Sequence, residues 1–351
     1  MKYLLILCLM SFGALAETVK IDNEEYNVVK LTEVGNVLWG FDFINDEEMI
    51  LNSRRGKMFK FNLKTKKQIE LSGLPQNIYT KGQGGLLDVF FYKDRIYFTF
   101  SEDLGDKKYT STLMSAKVEG DKLADSKILL RTKTNSGESI HFGSRVLVRD
   151  DVVYMSIGDR NKREQVQDLN FHNGKVLRMN LDGSPHKENP FLDKGEEAKY
   201  VYTYGHRNPQ GLCFDSEGQL YEVEFGPRGG DEINLIKKGA NYGWPVVTYG
   251  REYWGPKIGE GTEKEGVESP LKYYVPSISP SGCAFYRGNL YLANLSGKHI
   301  RRVKLEKQKF KSEEILLDKM DKRFRMIREG RDGRLYFSTD DGELFVLENK
   351  A

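Results

Sequence analysis

The sequence predicts an all-β protein with the architecture of a six-bladed β-propeller. A short apolar strand, a polar turn and a second strand rich in Tyr, Phe and Leu recur six times along the chain. The copies start at Gly40, Leu86, Ser144, Gln210, Ser281 and Arg325. A four-stranded blade needs about 40 to 50 residues, so the longer intervals between copies predict loop insertions. No long helical periodicity separates the copies, which disfavours an α/β barrel. The other alternative is an open pair of β-sandwiches, but in that fold the presence of six regular copies would be a coincidence.

The turns inside the copies support this assignment, because their residue types favour tight reversals between strands. They are Asn45-Asp46, Lys93-Asp94, Asp150-Asp151, Glu217-Gly218, Arg287-Gly288 and Asp332-Gly333. A further strand signal in residues 17–34 is placed to complete the last blade and close the ring. We therefore expect one domain over residues 17–351, with any site at the central channel where loops from all blades converge.

Residues 1–16 have the pattern of a secretory signal peptide. Lys2 gives a positive start, an apolar stretch follows, and Ala14-Leu15-Ala16 forms a small-x-small cleavage site. A retained anchor is the alternative, but the apolar stretch is too short to span a bilayer. We expect a periplasmic or secreted protein without stable membrane insertion.

Composition excludes several classes of protein. The chain of 351 residues has 54 Lys and Arg against 51 Asp and Glu, a balance that is not typical of a nucleic-acid binder. Three cysteines are too few for a disulfide-stapled scaffold. Cys213 and Cys283 each lie in a predicted buried strand, which favours free thiols acting as small apolar residues; a disulfide would need Cα atoms within about 7 Å.

One histidine and one aspartate are placed to act together. His141 stands just before a predicted strand, and Asp159 ends the strand that pairs with it. The hairpin brings the carboxylate back towards the imidazole, which orients the ring and raises its basicity. A lone structural histidine is the alternative interpretation.

Other polar segments also fall at strand connections. Gly82-Gln83-Gly84-Gly85 has no helix behind it, so it is read as a tight blade-entry loop and not as a nucleotide loop. Residues 204–211 contain several side chains that donate hydrogen bonds, and residues 224–232 are rich in oxygen ligands that suit Ca²⁺, without the spacing of an EF-hand.

Two arginines stand at the start of the last copy. Strand alternation directs Arg323 and Arg325 to the same side, which suits binding of a carboxylate between them. Two solvated arginines on an edge strand are the alternative.

In this order, the segments resemble the soluble quinoprotein sugar dehydrogenases, which use pyrroloquinoline quinone (PQQ). The most specific stretch runs from Tyr204 to Gly250, and GQGGLLDV, HFGSR with IGDR, GKVLRMNLDGS, VPSISPSG and RFRMIREG with LYFSTDDGEL support it. The resemblance covers nearly all of the chain after residue 16, and it implies a six-bladed propeller.

The resemblance also implies roles for individual residues. It implies that His141 is the catalytic base and that Asp159 supports it. Cofactor contacts would be Gln83, Arg207, Asn208, Ser277, Arg323 and Arg325. The backbone carbonyls of Gly226 and Pro227 would hold a catalytic Ca²⁺, and Glu232 and Tyr242 would belong to a second, structural Ca²⁺ site.

One loop departs from the family pattern. Where the family usually has a lysine that reaches PQQ, this chain has Ser296, and Lys298 follows two residues later. On an extended segment the two side chains share a face, so Lys298 could replace the missing lysine.

The implied activity is oxidation of aldose sugars at C1 to lactones, with PQQ and Ca²⁺ as cofactors and an external electron acceptor. A Ca²⁺-dependent lactonase, or a propeller that has lost its cofactor and binds carbohydrate or protein, are the alternatives. The sequence names neither the preferred sugar nor the acceptor, and it leaves the oligomeric state open.

Overall fold

The computed structural model describes residues 17–350, so the predicted signal peptide of residues 1–16 lies outside the described residues. The strands are β1 (Thr18–Ile21), β2 (Glu24–Glu33), β3 (Leu38–Phe43), β4 (Glu48–Ser53), β5 (Lys57–Asn62), β6 (Gln68–Glu70), β7 (Leu86–Tyr92), β8 (Arg95–Asp103), β9 (Tyr109–Glu119), β10 (Lys122–Arg131), β11 (Val146–Arg149), β12 (Val152–Ile157), β13 (Lys175–Asn180), β14 (Val201–Tyr204), β15 (Pro209–Phe214), β16 (Leu220–Glu224), β17 (Asp231–Leu235), β18 (Lys272–Tyr274), β19 (Pro280–Tyr286), β20 (Asn289–Asn294), β21 (Ile300–Glu306), β22 (Lys309–Leu316), β23 (Phe324–Glu329), β24 (Leu335–Thr339) and β25 (Glu343–Asn349). Short 3₁₀ helices span Arg163–Gln165, Ala198–Tyr200 and Asp318–Met320. None of the helices in residues 17–350 is long and apolar enough to cross a membrane.

The strands form six antiparallel sheets, which confirms the predicted all-β six-bladed propeller. Blades 1 to 5 are the consecutive sets β3–β6, β7–β10, β11–β14, β15–β18 and β19–β22. The first strand of each blade is innermost and contacts the first strand of the next blade around the ring. Innermost β3 is therefore buried along its whole length, whereas outermost β22 is mostly exposed.

Blade 6 is built from both ends of the described chain. Its strand order is β23-β24-β25-β2-β1, and Val29 of β2 stands opposite Val346 of β25. The strand predicted in residues 17–34 is thus confirmed as the segment that closes the ring.

The channel axis is occupied by one arginine that binds all the other blades. Arg145, just before β11 of blade 3, is 2% exposed. Its guanidinium donates to backbone carbonyls of four innermost strands, those of Trp39, Gln210, Ser281 and Arg325, and pairs with the Asp88 carboxylate of blade 2 at 3.2 Å. It also lies 4.0 Å from the centroid of the Trp39 ring, a cation–π distance. Arg145 therefore ties the six blades together from inside the channel.

The expectation of free thiols was wrong. Cys213 of β15 and Cys283 of β19 form a disulfide, with their Cα atoms 5.8 Å apart. Both cysteines are buried as predicted, but the innermost strands of blades 4 and 5 pack side by side and bring the two sulfurs together.

Candidate active site

The candidate residues gather at one end of the channel because of how antiparallel blades are built. In each blade, the residues before the first strand and the residues after the second strand lie at the same end. Gln83, His141, Arg207, Ser277 and Arg323 precede first strands. Asp159, Gly226, Pro227 and Lys298 follow second strands, as do Arg54 and Asp340.

His141 and Asp159 form the hydrogen-bonded pair that the hairpin predicted. Nδ1 of His141 lies 2.7 Å from Oδ1 of Asp159, and both side chains are buried. The other carboxylate oxygen accepts a hydrogen bond of 2.9 Å from the Trp244 indole. Because Asp159 accepts a hydrogen bond from Nδ1–H, the neutral imidazole of His141 has its free lone pair on Nε2. Nε2 is therefore the nitrogen that can accept a proton.

The backbone around His141 is unusually constrained. His141 has a φ of 53°, in the left-handed region that non-glycine residues seldom adopt. Its N–H donates to the Gln83 side-chain oxygen at 2.8 Å, so Gln83 positions the histidine loop. A Cβ on Gly158 would lie 2.1 Å from the His141 carbonyl oxygen, so only glycine permits this approach. Strain of this kind is typical of functional sites.

The electrostatics favour a neutral imidazole beside an ionised carboxylate. Burial lowers the pKa of His141 below its usual 6.5; the Asp159 carboxylate raises it, and the Arg207 charge lowers it further. Burial acts to raise the pKa of Asp159, but the hydrogen bond from His141 and the nearby positive charges leave it below its usual value. His141 can therefore accept a proton at neutral pH.

Arg207 and Asn208 border the same histidine. Nη1 of Arg207 donates to the carbonyls of Phe225 and Gly226 at 2.9 and 2.8 Å, and Nη2 lies 3.4 Å from Nε2 of His141. Nε of Arg207 and Nδ2 of Asn208 are buried without a hydrogen-bond partner. Buried donors without partners are costly, and they mark places where a ligand atom would be accepted.

A cavity of about 250 Å³, the central cavity, opens at this end of the channel. Trp39, Leu87 and Phe142 give it apolar walls. Its polar lining is Arg54, Gln83, Gln210, Ser279, Arg323, Arg325 and Asp340.

The predicted arginine clamp faces this cavity. Arg323 and Arg325 both reach one carboxylate: their Nε atoms lie 2.8 Å from the two oxygens of Asp340. This confirms that the two guanidinium groups share a side, and the burial of Arg325 contradicts the picture of two solvated arginines. Arg54 adds a third guanidinium, whose pKa is lowered by burial and by the charge of Arg325. Arg54 donates to the Gly82 carbonyl at 3.1 Å and does not pair with Asp340. The cavity therefore has three guanidinium groups and one carboxylate in its lining, which suits a ligand with several negative charges.

Ser277 and Lys298 do not line the central cavity. The Ser277 hydroxyl donates to Asp231 at 2.6 Å, and Ser279 is the serine that lines the cavity. Lys298 pairs with Asp321 at 2.8 Å. Its φ of 52° means that the segment is not extended there, so the alternation by which Lys298 would replace the missing lysine does not apply.

Gly226 and Pro227 stand at the junction of the cavities. Gly226 donates its N–H to Asp231 at 2.9 Å and borders a very small cavity, whereas Pro227 borders a large outer cavity. A Cβ on Gly226 would lie 2.2 Å from the Gly229 carbonyl oxygen, so the turn requires glycine.

Glu232 and Tyr242 meet at that very small cavity, of about 10 Å³, which has room for about one water or ion. The Tyr242 hydroxyl donates to the Leu235 carbonyl at 2.7 Å, and its ring stacks on His206. The side chain is thus already engaged, and Tyr242 could reach a metal only through its backbone.

The acidic groups around this cavity are more numerous than predicted. Glu222, Glu224 and Glu232 are all buried, and Asn234 donates to the three carboxylates at 3.0, 3.2 and 3.3 Å. His206, Glu222 and Glu224 offer ligand atoms within 4.8 Å of one another. Burial, followed by repulsion from Glu224, raises the pKa values of Glu222 and Glu232 well above the usual range. A bound cation would relieve this repulsion.

Sequence reasoning missed Arg54, Asp340, Trp244 and Glu222 as site residues, and it included Glu224 only as part of the oxygen-rich segment 224–232. Trp244 lies in the NYGWP segment and Asp340 in STDDGEL, both inside stretches that carry the family resemblance. Arg54 had no such signal, because it differs from its exposed neighbour Arg55 only in the direction in which the fold points it.

Residues 36–346 match the family model described as Glucose / Sorbosone dehydrogenase. The chain is 34% identical over 332 residues to aldose sugar dehydrogenase YliI of Escherichia coli, covering 88% of this chain and 89% of that protein. It is 32% identical over 262 residues to quinoprotein glucose dehydrogenase B of Acinetobacter calcoaceticus, covering 65% of this chain and 54% of that protein. The PQQ-bound structure of an aldose sugar dehydrogenase from Streptomyces coelicolor superposes with a TM-score of 0.77 at 27% identity, covering 93% of this chain and 98% of that one.

Proposed function

Because the chain belongs to the glucose/sorbosone dehydrogenase family, a family of oxidoreductases, we propose that it oxidises aldose sugars at C1 with PQQ and Ca²⁺. The observation that carries the proposal is a buried His–Asp pair next to a cavity lined by three guanidinium groups and one carboxylate; Gln83, which accepts from the His141 N–H, lines that cavity. The first provides a base, and the second provides a site for an acidic cofactor.

The central cavity fits PQQ, a flat quinone with three carboxylates. Arg54, Arg323 and Arg325 would hold the carboxylates, and Trp39 and Phe142 would cover apolar parts of the rings. The unpartnered donors of Arg207 and Asn208 offer further hydrogen bonds. When bound, the quinone supplies the two-electron acceptor for oxidation at the sugar C1, which no side chain can provide.

His141 would take the proton of the C1 hydroxyl on Nε2. Asp159 holds the imidazole through Nδ1 and would stabilise the imidazolium that forms. Nη2 of Arg207, 3.4 Å from Nε2, stands where negative charge would develop on the sugar oxygen. Trp244 and Gln83 keep the pair in place from opposite sides, one through the carboxylate and one through the backbone N–H.

Oxygen ligands for Ca²⁺ are present as well. The Gly226 and Pro227 carbonyls would hold the cation that polarises the acceptor, and the cation would take the place of the Arg207 guanidinium that now donates to the Gly226 carbonyl at 2.8 Å. Glu232 with its acidic neighbours would hold a structural cation. The raised pKa values of Glu222 and Glu232 show an acidic cluster that is short of positive charge. Adding Ca²⁺ to metal-free protein should therefore raise the midpoint of thermal unfolding, and Glu232→Gln should reduce that rise.

Export is supported by the Cys213–Cys283 disulfide, because such bonds persist in oxidising compartments. We therefore propose that the protein works in the periplasm or outside the cell and passes its electrons to an external acceptor.

Reconstitution tests the proposal directly. Purified protein is incubated with PQQ and Ca²⁺, and dye reduction is followed with a panel of mono- and disaccharides. We expect sugar-dependent dye reduction that needs PQQ. Lactone hydrolysis without PQQ would identify a lactonase, and absence of both activities would identify a binding protein; either result contradicts the proposal.

Replacing the base gives the sharpest residue test. His141→Gln should lower kcat by about 10²- to 10⁴-fold, because a positioned general base contributes that much. PQQ binding, followed by quenching of tryptophan fluorescence, should change little, since the guanidinium groups remain. A variant that turns over sugar at the unsubstituted rate would show that His141 is not the base.

A further inference from the structure

A second, larger cavity adjoins the central cavity. It has a volume of about 840 Å³, within the range of small-molecule sites, and we call it the outer cavity. Ser279 lines both cavities, so the two lie next to each other. Arg228 follows the second strand of blade 4 and Ser277 precedes the first strand of blade 5, so the outer cavity lies at the same end of the channel as the His141–Asp159 pair.

The outer cavity carries charge of only one sign. Arg228 and Arg251 line it, and none of its lining residues, all within the described chain, is Asp or Glu. Within residues 17–350 neither guanidinium forms a salt bridge; Nη1 of Arg228 has only a 3.4 Å contact with the Tyr253 carbonyl. This differs from the clamp of the central cavity, where Asp340 neutralises part of the charge.

These two arginines are held in place by the fold. The Arg228 N–H donates to the Arg251 carbonyl at 3.2 Å, which fixes the two backbones side by side. Glu252, the residue after Arg251, is buried and pairs with Arg163, with Nη2 and Oε2 3.1 Å apart. Arg163 in turn lies 5.0 Å from the centroid of the Trp244 ring, and Trp244 donates to Asp159. The segment that carries Arg251 is thus anchored to the catalytic pair.

The remaining lining suits a sugar. The Tyr253 side chain is 64% exposed and Val275 62% exposed, and they offer apolar surface against which a pyranose ring can pack. Ser277, Ser279 and Ser296 add hydroxyl groups, which can bond sugar hydroxyls.

We propose that the outer cavity binds the carboxylate of an acidic aldose, so that the enzyme prefers reducing sugars that carry a uronic acid group. The proposal rests on the proposed function. In this arrangement Arg228 and Arg251 would bind the C6 carboxylate of a hexuronic acid, which lies outside the ring, and the C1 hydroxyl would point towards His141. The carboxylate takes no part in the oxidation at C1. It can come from a free uronic acid or from the second unit of an oligouronide.

The test compares each acid with its neutral counterpart. For protein loaded with PQQ and Ca²⁺, kcat/KM is measured for glucuronate against glucose, galacturonate against galactose, and reducing digalacturonate against a neutral disaccharide. We expect the acid to be favoured by about 10- to 100-fold, since hydrogen bonds to charged groups are worth that factor. If the acid-to-neutral ratio is largest for a monosaccharide pair, the substrate is a free uronic acid. If it is largest for digalacturonate, the substrate is an oligouronide.

Substitutions locate the effect. Arg251→Gln and Arg228→Gln should each reduce the acid-to-neutral ratio by about 10-fold. Arg331→Gln, which removes the same charge from the β23–β24 turn at the other end of the channel, should leave the ratio unchanged. Equal ratios for all sugars, or a ratio that none of these variants changes, would overturn the proposal.

Equilibrium binding separates this proposal from the proposed function. Calorimetric titration with glucuronate and glucose is made on protein loaded with Ca²⁺ and reduced PQQ, which cannot oxidise the sugar, so it measures binding without turnover. If glucuronate binds more tightly than glucose and this preference is lost in Arg251→Gln, the acidic-sugar site is supported. If no sugar is oxidised in the turnover assay, the proposed function is wrong but the acidic-sugar site still stands. If glucuronate binding survives in Arg228→Gln and Arg251→Gln but is lost in Arg325→Gln, the acid occupies the central cavity and the present proposal is wrong.

Discussion

Two sets of arginines in the same channel illustrate opposite uses of one side chain. Arg145 is fully enclosed, with four carbonyls and the Asp88 carboxylate around its guanidinium. Arg54, Arg323 and Arg325 face a cavity whose lining has one carboxylate, that of Asp340, and only Arg323 and Arg325 pair with it. A guanidinium whose donors all have acceptors in the protein stabilises the fold. Guanidinium groups that outnumber the carboxylates near them can instead bind an anionic ligand.

Replacing Arg145, whose guanidinium donors all have acceptors, should have the largest effect on stability. In Arg145→Met, Asp88 and four carbonyls lose their partner at the axis, and removing one member of a buried pair costs about 3–5 kcal/mol. The free energy of unfolding, measured by urea denaturation, should fall by that amount.

Arg325→Gln is the matched comparison for this substitution, because Arg325 is also buried but belongs to the cavity set. It should cost far less stability, because Asp340 keeps Arg323 as its partner and the repulsion between Arg325 and Arg54 is removed. Equal losses in the two variants would remove the distinction between the two sets.

Replacing an arginine that faces the central cavity should instead affect cofactor affinity. Arg54→Gln should weaken PQQ binding by about 10- to 100-fold, because a charge-assisted hydrogen bond to a carboxylate is lost. Unfolding of the cofactor-free protein should be little affected, because the substitution relieves repulsion from Arg325. Both can be followed by tryptophan fluorescence, since Trp39 lines the cavity.

Arg55→Gln is the control, since Arg55 is the exposed neighbour with the same charge and does not line the cavity. If both variants lost PQQ affinity equally, general electrostatic attraction and not a built contact would explain the binding.

The smallest expected effect is a shift in pH dependence. His141 accepts a proton only when neutral, and burial holds its pKa below 6.5, so kcat/KM should decline only as the pH falls below 6.5. In Asp159→Asn the carboxylate that raises this pKa is gone, so the acidic limb should move to lower pH while the rate falls. A limb that stayed in place would mean that another group titrates.

Parts of the site could be predicted because they depend on local rules. The His141–Asp159 pair follows from hairpin geometry. Arg323 and Arg325 share a side as alternation predicted, but β23 begins only at Phe324 and has a register shift between Phe324 and Met326, so regular strand geometry is not the whole cause. Asp340 could not be predicted, because its pairing with these arginines depends on the register between β23 and β24. The disulfide was missed for a similar reason, since Cys213 and Cys283 are 70 residues apart and meet only where two blades pack.

The Ser296 loop shows the limit of the alternation rule. The rule holds for extended backbone, and Lys298 lies in a bend with a φ of 52°. No local pattern fixed that conformation.

The repeats, the turns and the closing strand determined a six-bladed ring from the sequence alone, because strand periodicity and turn chemistry act over a few neighbouring residues. Only the tertiary structure decided which arginines are saturated and which face a cavity. That distinction depends on acceptors from five blades meeting around an arginine of the remaining blade, and such distances are set by packing across the whole ring.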